Sequence, residues 1–282
     1  MKIFHTIVDL QSELKLHSDK KIALVPTMGN LHDGHLQLVK IAQQNAHMVV
    51  VSVFVNPTQF GVGEDFDSYP RTLDEDCEKL RTVGADVVFA PSVDEMYPVY
   101  PPNIAVLSGD ITKILCGKSR PTHFDGVGLV VSKLFNIVRP AVAVFGKKDY
   151  QQLAIIRQLN RELNFNIEII GAKIVRADDG LALSSRNGYL TKKERSTAPI
   201  IQKTLQRIEA DVLSASFEQY SKIIQKYHQQ LTDEGLLVDY LELYNDKLQA
   251  VRPTDKHLVV LAAVYVGKAR LLDNLEIELP VN

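Results

Sequence analysis

The stretch "IALVPTMGNLHDGH", Ile22 to His35, decides the fold. Its first half is a continuous run of apolar and β-branched residues, the composition of a strand buried on both faces; its second half is a polar turn holding two glycines. Beyond it, Leu38, Val39, Ala42 and Ala46 repeat at helical spacing and give an apolar stripe. A strand, a glycine turn and a helix in that order open a βαβ unit, which needs a parallel sheet covered by helices.

The same texture recurs along the chain. Short apolar runs stand at "MVVVSVFV" (48–55), "DVVFAP" (86–91), "AVAVFG" (141–146) and "IEIIGAKIV" (167–175), with helical patterns between them. Thr72 and Glu75 have the spacing of a capping box ahead of Leu73, Cys77 and Leu80. These features predict a Rossmann-like, doubly wound α/β domain over residues 1–183. After "LSSRNGYL" (184–190) the pattern changes. Thr191 and Glu194 form a second capping-box pattern, polar helices are expected over 192–213 and 217–233, and "VDYLELYN" and "HLVVLAAVYVGKARLLDNLEIEL" read as strands. Residues 184–282 are therefore expected to form a smaller α+β domain.

Composition narrows the function. At 282 residues with 45% hydrophobic and 23% charged side chains, the chain can bury a large core. A net charge of −2 provides no field for long nucleic acid, so any polyanion must be small and bound locally. Cys77 and Cys116 are far apart in sequence and belong to no His/Cys cluster, so they read as reduced core thiols. The N-terminus becomes charged too early for a signal peptide, and no apolar run reaches membrane-spanning length, which leaves a cytoplasmic protein as the expectation.

In a doubly wound sheet, ligands lie beyond the carboxyl ends of the strands, where loops lead into helix N-termini. Three unusual segments fall there. In "PTMGNLHDGH", Gly29 permits close backbone approach, Asp33 is a candidate helix cap, and His32 and His35 are spaced i, i+3 on the first helical turn, where an anion would meet amides, dipole and imidazoles together. Taken alone, the histidines could equally satisfy local hydrogen bonds; a zinc site lacks a third ligand. "GKKDYQQ" (146–152) offers Lys147 and Lys148 for phosphate and Asp149 for a divalent cation, or else it is a solvated turn. "NPTQF" (56–60) supplies Asn56 and Gln59, and Gln152 adds a third neutral amide. Farther on, "LSSRN" brings hydroxyls from Ser184 and Ser185 beside Arg186, whose guanidinium can grip phosphate at two points, although the string is also common in surface turns.

The HxGH element after a first Rossmann-like strand resembles the nucleotidyltransferase superfamily that includes class I aminoacyl-tRNA synthetases. The whole string "PTMGNLHDGH", followed in order by "VNPTQF", "YPRTLDEDC", "RPTHFDGV", "FGKKDYQQL" and "DGLALSSRN", resembles the pantoate–β-alanine ligase (pantothenate synthetase) family. The resemblance covers about residues 20–190. It implies two steps, in which ATP adenylates (R)-pantoate with loss of pyrophosphate and β-alanine then displaces AMP. It implies His35, His32 and Lys148 as catalytic, with Met28, Gly29, Asn30, Leu31, Asp33 and Gly34 also at ATP. Gly146, Lys147, Asp149, Val175, Leu183, Ser184, Ser185 and Arg186 complete the implied ATP site, with Mg²⁺ as cofactor held by Asp149. Gln59, Gln152 and Asn56 are placed at pantoate, Gln59 also at β-alanine, and Arg120 and His123 towards the triphosphate. The resemblance further implies a homodimer, with small molecules as its other partners and neither nucleic acid nor membrane.

Other readings differ in testable ways. Another HxGH adenylyltransferase would leave AMP in its product, a tRNA synthetase would need an anticodon-binding module, and a nucleotide-binding regulator would have no use for the substrate glutamines. "CGKSR" (116–120) is not a P-loop, because the earlier glycine would fall at Thr112; "GVG" at 61–63 and 126–128 lacks the third glycine of a dinucleotide fingerprint.

Overall fold

The computed structural model describes residues 1–61 and 63–280; Val62, the centre of the first GVG triplet, and the last two residues lie outside them. Two compact units are present, one comprising Met1–Lys147 with Gln152–Lys173 and the other Lys148–Gln151 with Ile174–Asn282.

The first unit contains β1 (Lys2–Phe4), α1 (Ile7–Lys15), β2 (Ile22–Thr27), α2 (Asp33–Asn45), β3 (Met48–Val53), α3 (Leu73–Thr82), β4 (Val87–Phe89), α4 (Val93–Met96), α5 (Leu115–Ser119), α6 (His123–Val138), β5 (Val142–Gly146), α7 (Tyr150–Glu162) and β6 (Glu168–Ala172). The first two residues of α7 group with the other unit. Its sheet has the order β1-β4-β3-β2-β5-β6, and all its pairings are parallel. The expected doubly wound architecture is thus present. Alternate residues explain the continuous apolar runs: Ala23 and Val25 of β2 pack with Val39 and Ala42 of α2 and Leu80 of α3, while the equally buried Leu24 lies on the opposite face. From β2 the chain winds outward through β3 and β4, then crosses back to place β5 on the other side of β2. The switch point therefore lies between β2 and β5. Their ladder ends at Leu24↔Ala143, ahead of Pro26, whose ring has no N–H to continue it.

The second unit holds α8 (Lys192–Thr197), α9 (Ile200–Ser214), α10 (Tyr220–Asp233) and the antiparallel sheet β7 (Leu237–Asn245), β8 (His257–Val266) and β9 (Ala269–Glu278). Ile201, Leu205, Ile208 and Val212 form the inner stripe of α9, and each such burial is worth roughly 1.5–3 kcal/mol. The Thr191–Glu194 capping box forms as the spacing predicts.

Several local expectations are corrected. The first helix of the "PTMGNLHDGH" segment is capped by His32, and Asp33 is its first helical residue. Thr72 makes no capping hydrogen bond, because its hydroxyl donates to Asp76 instead. The helix expected over 192–213 is two helices, interrupted at Ala198–Pro199 because proline has no N–H for the ladder. Strand β1 has too few residues to show a period. By packing alone, residues 174–183 group with the second unit; the change of texture at Ser184 is a separate boundary, one of sequence pattern. Arg176 pairs with Asp273 and Leu181 enters the second core, which ties this stretch to the second unit.

Candidate active site

At the carboxyl end of β2, Gly29 (φ +83°) and Asn30 (φ +51°) take left-handed conformations that turn the chain into α2. At Gly29 a Cβ would lie 3.0 Å from Asp76 Oδ2 and 3.1 Å from Val53 Cγ1, so the close approach there is to the protein itself. The side chains of His32 and His35 then close a reciprocal cap. Gly34 N–H donates to His32 Nδ1 at 3.1 Å, and His32 N–H donates to His35 Nδ1 at 3.3 Å. The ring centroids are 4.1 Å apart. Because both Nδ1 atoms accept, each ring in this arrangement is neutral and carries its proton on Nε2. The Gly34 and His35 amides are engaged by His32 Nδ1 and His32 O.

The turn is held from below by α3. Asp76, fully buried, accepts from Leu31 N–H at 2.7 Å, from Asn30 N–H at 2.9 Å and from the Thr72 hydroxyl at 3.2 Å. Lys79, one turn along, donates to Leu31 O at 2.8 Å. Sequence reading missed both residues. The available signal was Asp76 itself, a carboxylate among Leu73, Cys77 and Leu80 on what is otherwise an apolar stripe.

After β3, Pro57–Gln59 forms a single 3₁₀ turn capped by Asn56. Gln59 Nε2 donates to Met28 Sδ at 3.2 Å, which brings this turn against the first. Asn56 is fully buried, and both its amide hydrogens are directed to protein, one to Gln59 Oε1 at 3.0 Å and one to Gly126 O at 3.2 Å. Its Oδ1 accepts from the hydroxyls of Tyr97 at 2.8 Å and Thr58 at 2.9 Å. Burial pushes the Tyr97 phenol up to about 12, so it remains a donor. His123 Nδ1 donates to Gln59 O at 2.7 Å, leaving His123 Nε2 to accept from Arg120 at 3.0 Å. Arg120 also grips Glu64, with Nε 2.7 Å from Oε1. Burial alone would raise the Glu64 carboxyl, but the hydrogen-bonded guanidinium outweighs it and holds Glu64 below its ordinary value. Arg120 also donates to Gln59 O at 3.4 Å, so Arg120 and His123 meet at that carbonyl.

Strand β5 ends at Gly146, and Lys147 follows it at the same carboxyl edge as the β2 turn. Gln152 lies in α7. In the second unit, Lys148 Nζ lies 3.2 Å from Asp149 Oδ1, and Asn274 of β9 donates to Lys148 O at 2.9 Å. Next to Asn274, buried Asp273 receives both terminal nitrogens of Arg176 at 2.7 and 2.8 Å. Val175 and Leu183 are joined across a narrow hairpin, Leu183 N–H donating to Val175 O at 2.9 Å, with Gly180 (φ +93°) near its tip. Ser184 caps the following turn by accepting from Arg186 N–H at 3.3 Å, and Ser185 and Arg186 lie in that turn. Among the described residues no group of three or more His, Cys, Asp or Glu side chains is placed to hold a metal ion. Asp149 is a single carboxylate, which fits Mg²⁺ that takes most of its ligands from phosphate and water.

Comparison with known proteins agrees with this organisation. Residues 2–276 match the family described as pantoate-β-alanine ligase. The chain is 60% identical over 277 residues to the pantothenate synthetase of Psychrobacter cryohalolentis, covering 96% of each chain. It is 52% identical to that of Acinetobacter baumannii, covering 92% of this chain and 91% of the relative. Among solved structures, the pantothenate synthetase of Thermus thermophilus superposes with a TM-score of 0.92 at 39% identity, covering 99% of this chain and 100% of that one. The Francisella tularensis pantoate-β-alanine ligase, crystallised with β-γ ATP and β-alanine, gives 0.76 at 34% identity, covering 98% and 97%.

Proposed function

Since the chain belongs to the pantoate–β-alanine ligase family, we propose that it condenses (R)-pantoate with β-alanine in two ATP-driven steps. In the first, a pantoate carboxylate oxygen attacks the α-phosphorus of ATP and the bond to pyrophosphate breaks. In the second, the β-alanine amine attacks the carbonyl of pantoyl adenylate, a proton passes from nitrogen to solvent, and AMP leaves with the oxygen that came from pantoate.

The observation that carries this reading is the reciprocal His32–His35 cap on the first turn of α2, at the switch point, with Gln59 touching Met28 of the same turn. An ionised carboxylate needs no general base; the first step needs alignment and relief of charge building on the phosphates. Two neutral rings with Nε2–H donors suit that demand better than they suit proton abstraction. His35 and His32 are assigned to the phosphates, with Met28 through Gly34 forming the wall of the nucleotide site.

Lys148, together with Lys147 after Gly146, is assigned to neutralise phosphate charge. Asp149 would hold Mg²⁺, which when bound withdraws charge from the phosphate oxygens. Val175, Leu183, Ser184, Ser185 and Arg186 are assigned to ATP as well, Arg186 through its two-pronged guanidinium. Gln59 and Gln152 are assigned to pantoate and Gln59 to β-alanine. Asn56 serves that subsite from behind, since its amide fixes the Gln59 side chain. Residues 1–183 are the proposed ATP- and pantoate-binding domain, and residues 184–282 the domain that closes over the water-sensitive adenylate. The enzyme is assigned to the cytoplasm, in keeping with its two buried thiols, and to a homodimer, which light scattering tests.

The reading is tested by pyrophosphate–ATP exchange with Mg²⁺. Exchange should require pantoate, and adding β-alanine should release one AMP per amide formed. Exchange that proceeds equally without pantoate contradicts it.

A further inference from the structure

Asp76 lies 46 positions from Asn30 in sequence, yet it is the group on which the histidine turn rests. An ionised carboxylate removed wholly from water is unfavourable unless its oxygens are satisfied, and this one is satisfied chiefly by the turn. Oδ1 takes Leu31 N–H, while Oδ2 takes Asn30 N–H and the Thr72 hydroxyl. Two successive amides are thus fixed in direction just before His32. Lys79, three residues on and so on the same face of α3, fixes the carbonyl of Leu31 between them and the histidine. Both backbone polar groups of Leu31, its N–H and its C=O, are consequently held by one helix, directly ahead of His32.

We infer that Asp76 is the positioning residue of the adenylation step: its carboxylate, seconded by Lys79, sets the backbone of Asn30–Leu31 and thereby aims the His32 and His35 rings at the phosphates. The inference rests on the proposed function above. Its chemical content is that two acceptor oxygens are required, not merely a side chain of this size. Asparagine has nearly the same shape but presents an NH₂ group to one of the donors, so it loses one contact and sets donor against donor. Small displacements of preorganised donors act on turnover more than on substrate affinity.

The experiment uses the full chain and measures pantoate-dependent pyrophosphate–ATP exchange, thermal melting and the ¹⁵N resonances of the histidine rings. Wild-type exchange comes first; its failure would count against the ligase reading itself, not against Asp76. Given wild-type exchange, Asp76→Asn is expected to melt cooperatively, to lose about tenfold or more in kcat with the pantoate KM changed less than about twofold, and to shift the His32 and His35 resonances. Wild-type kcat in that variant, or a loss confined to KM, overturns the inference. Should Asp76→Asn not fold, Lys79→Met decides, because its side chain is only partly buried: it should lower kcat about threefold and shift the same resonances, whereas unchanged kcat and resonances overturn the proposal.

Discussion

His32 and His35 cap one another: the ring of His35 accepts from the backbone of His32, and the ring of His32 accepts from the backbone of Gly34. A proton on either Nδ1 would face an N–H group and break the cap. Long-range ¹H–¹⁵N correlation spectra of the free protein at neutral pH should therefore show both rings as Nε2–H tautomers. An Nδ1–H tautomer at either position contradicts the geometry.

The turn that carries Gln59 is built against α6 at a position that only glycine permits. A Cβ on Gly126 would lie 2.2 Å from the carbonyl oxygen of Thr58, which is backbone and cannot swing away. Gly126→Ala should cost about 1–3 kcal/mol in denaturant unfolding and raise the pantoate KM, because Gln59 moves with the displaced turn. Unchanged stability and KM would show that the turn is not held there.

Breaking the Arg176–Asp273 pair from its buried side should be more severe. Asp273→Ala leaves the guanidinium of Arg176 without its carboxylate and removes the acceptor of Asn274 N–H, beside the residue that holds Lys148. A loss of about 3–5 kcal/mol is expected from chemical unfolding. A loss below about 1 kcal/mol would mean that the pair is effectively solvated.

Alkaline pH should act through Tyr97. Burial raises its phenol to about 12, against about 10 for an exposed tyrosine, so folding favours the protonated form. The associated stability is complete below about pH 10, and it is lost as pH rises through 12. In urea unfolding between those values, wild type should lose stability more steeply than Tyr97→Phe, which has no such proton and also lacks the hydrogen bond to Asn56. Parallel curves contradict the assignment.

Legibility from sequence followed the range of the interaction. The strands at Ile22, Met48, Val87, Val142 and Glu168 were readable because burial on both faces leaves an unbroken apolar run, and the turns after them because their chemistry stands in contiguous letters. The short strand β1 was not readable, since three residues have no measurable period and its place is fixed by pairing with β4. His32 as cap was not foreseen, because aspartate is the commoner capping residue and stands beside it. What supports the site was the least visible: Asp76 under the histidine turn, Asn56 behind Gln59, and Asn274 at Lys148 act across the fold, and in sequence each resembles an ordinary polar residue.

Activation of pantoate at the α-phosphate of ATP would leave a pantoate oxygen in the nucleotide. Pantoate labelled with ¹⁸O in both carboxylate oxygens, turned over with Mg²⁺, ATP and β-alanine, tests it most directly by mass spectrometry of the nucleotide. One ¹⁸O is expected in each AMP released, with the other retained in the amide carbonyl. Unlabelled AMP, or ADP accompanied by labelled inorganic phosphate, would contradict it.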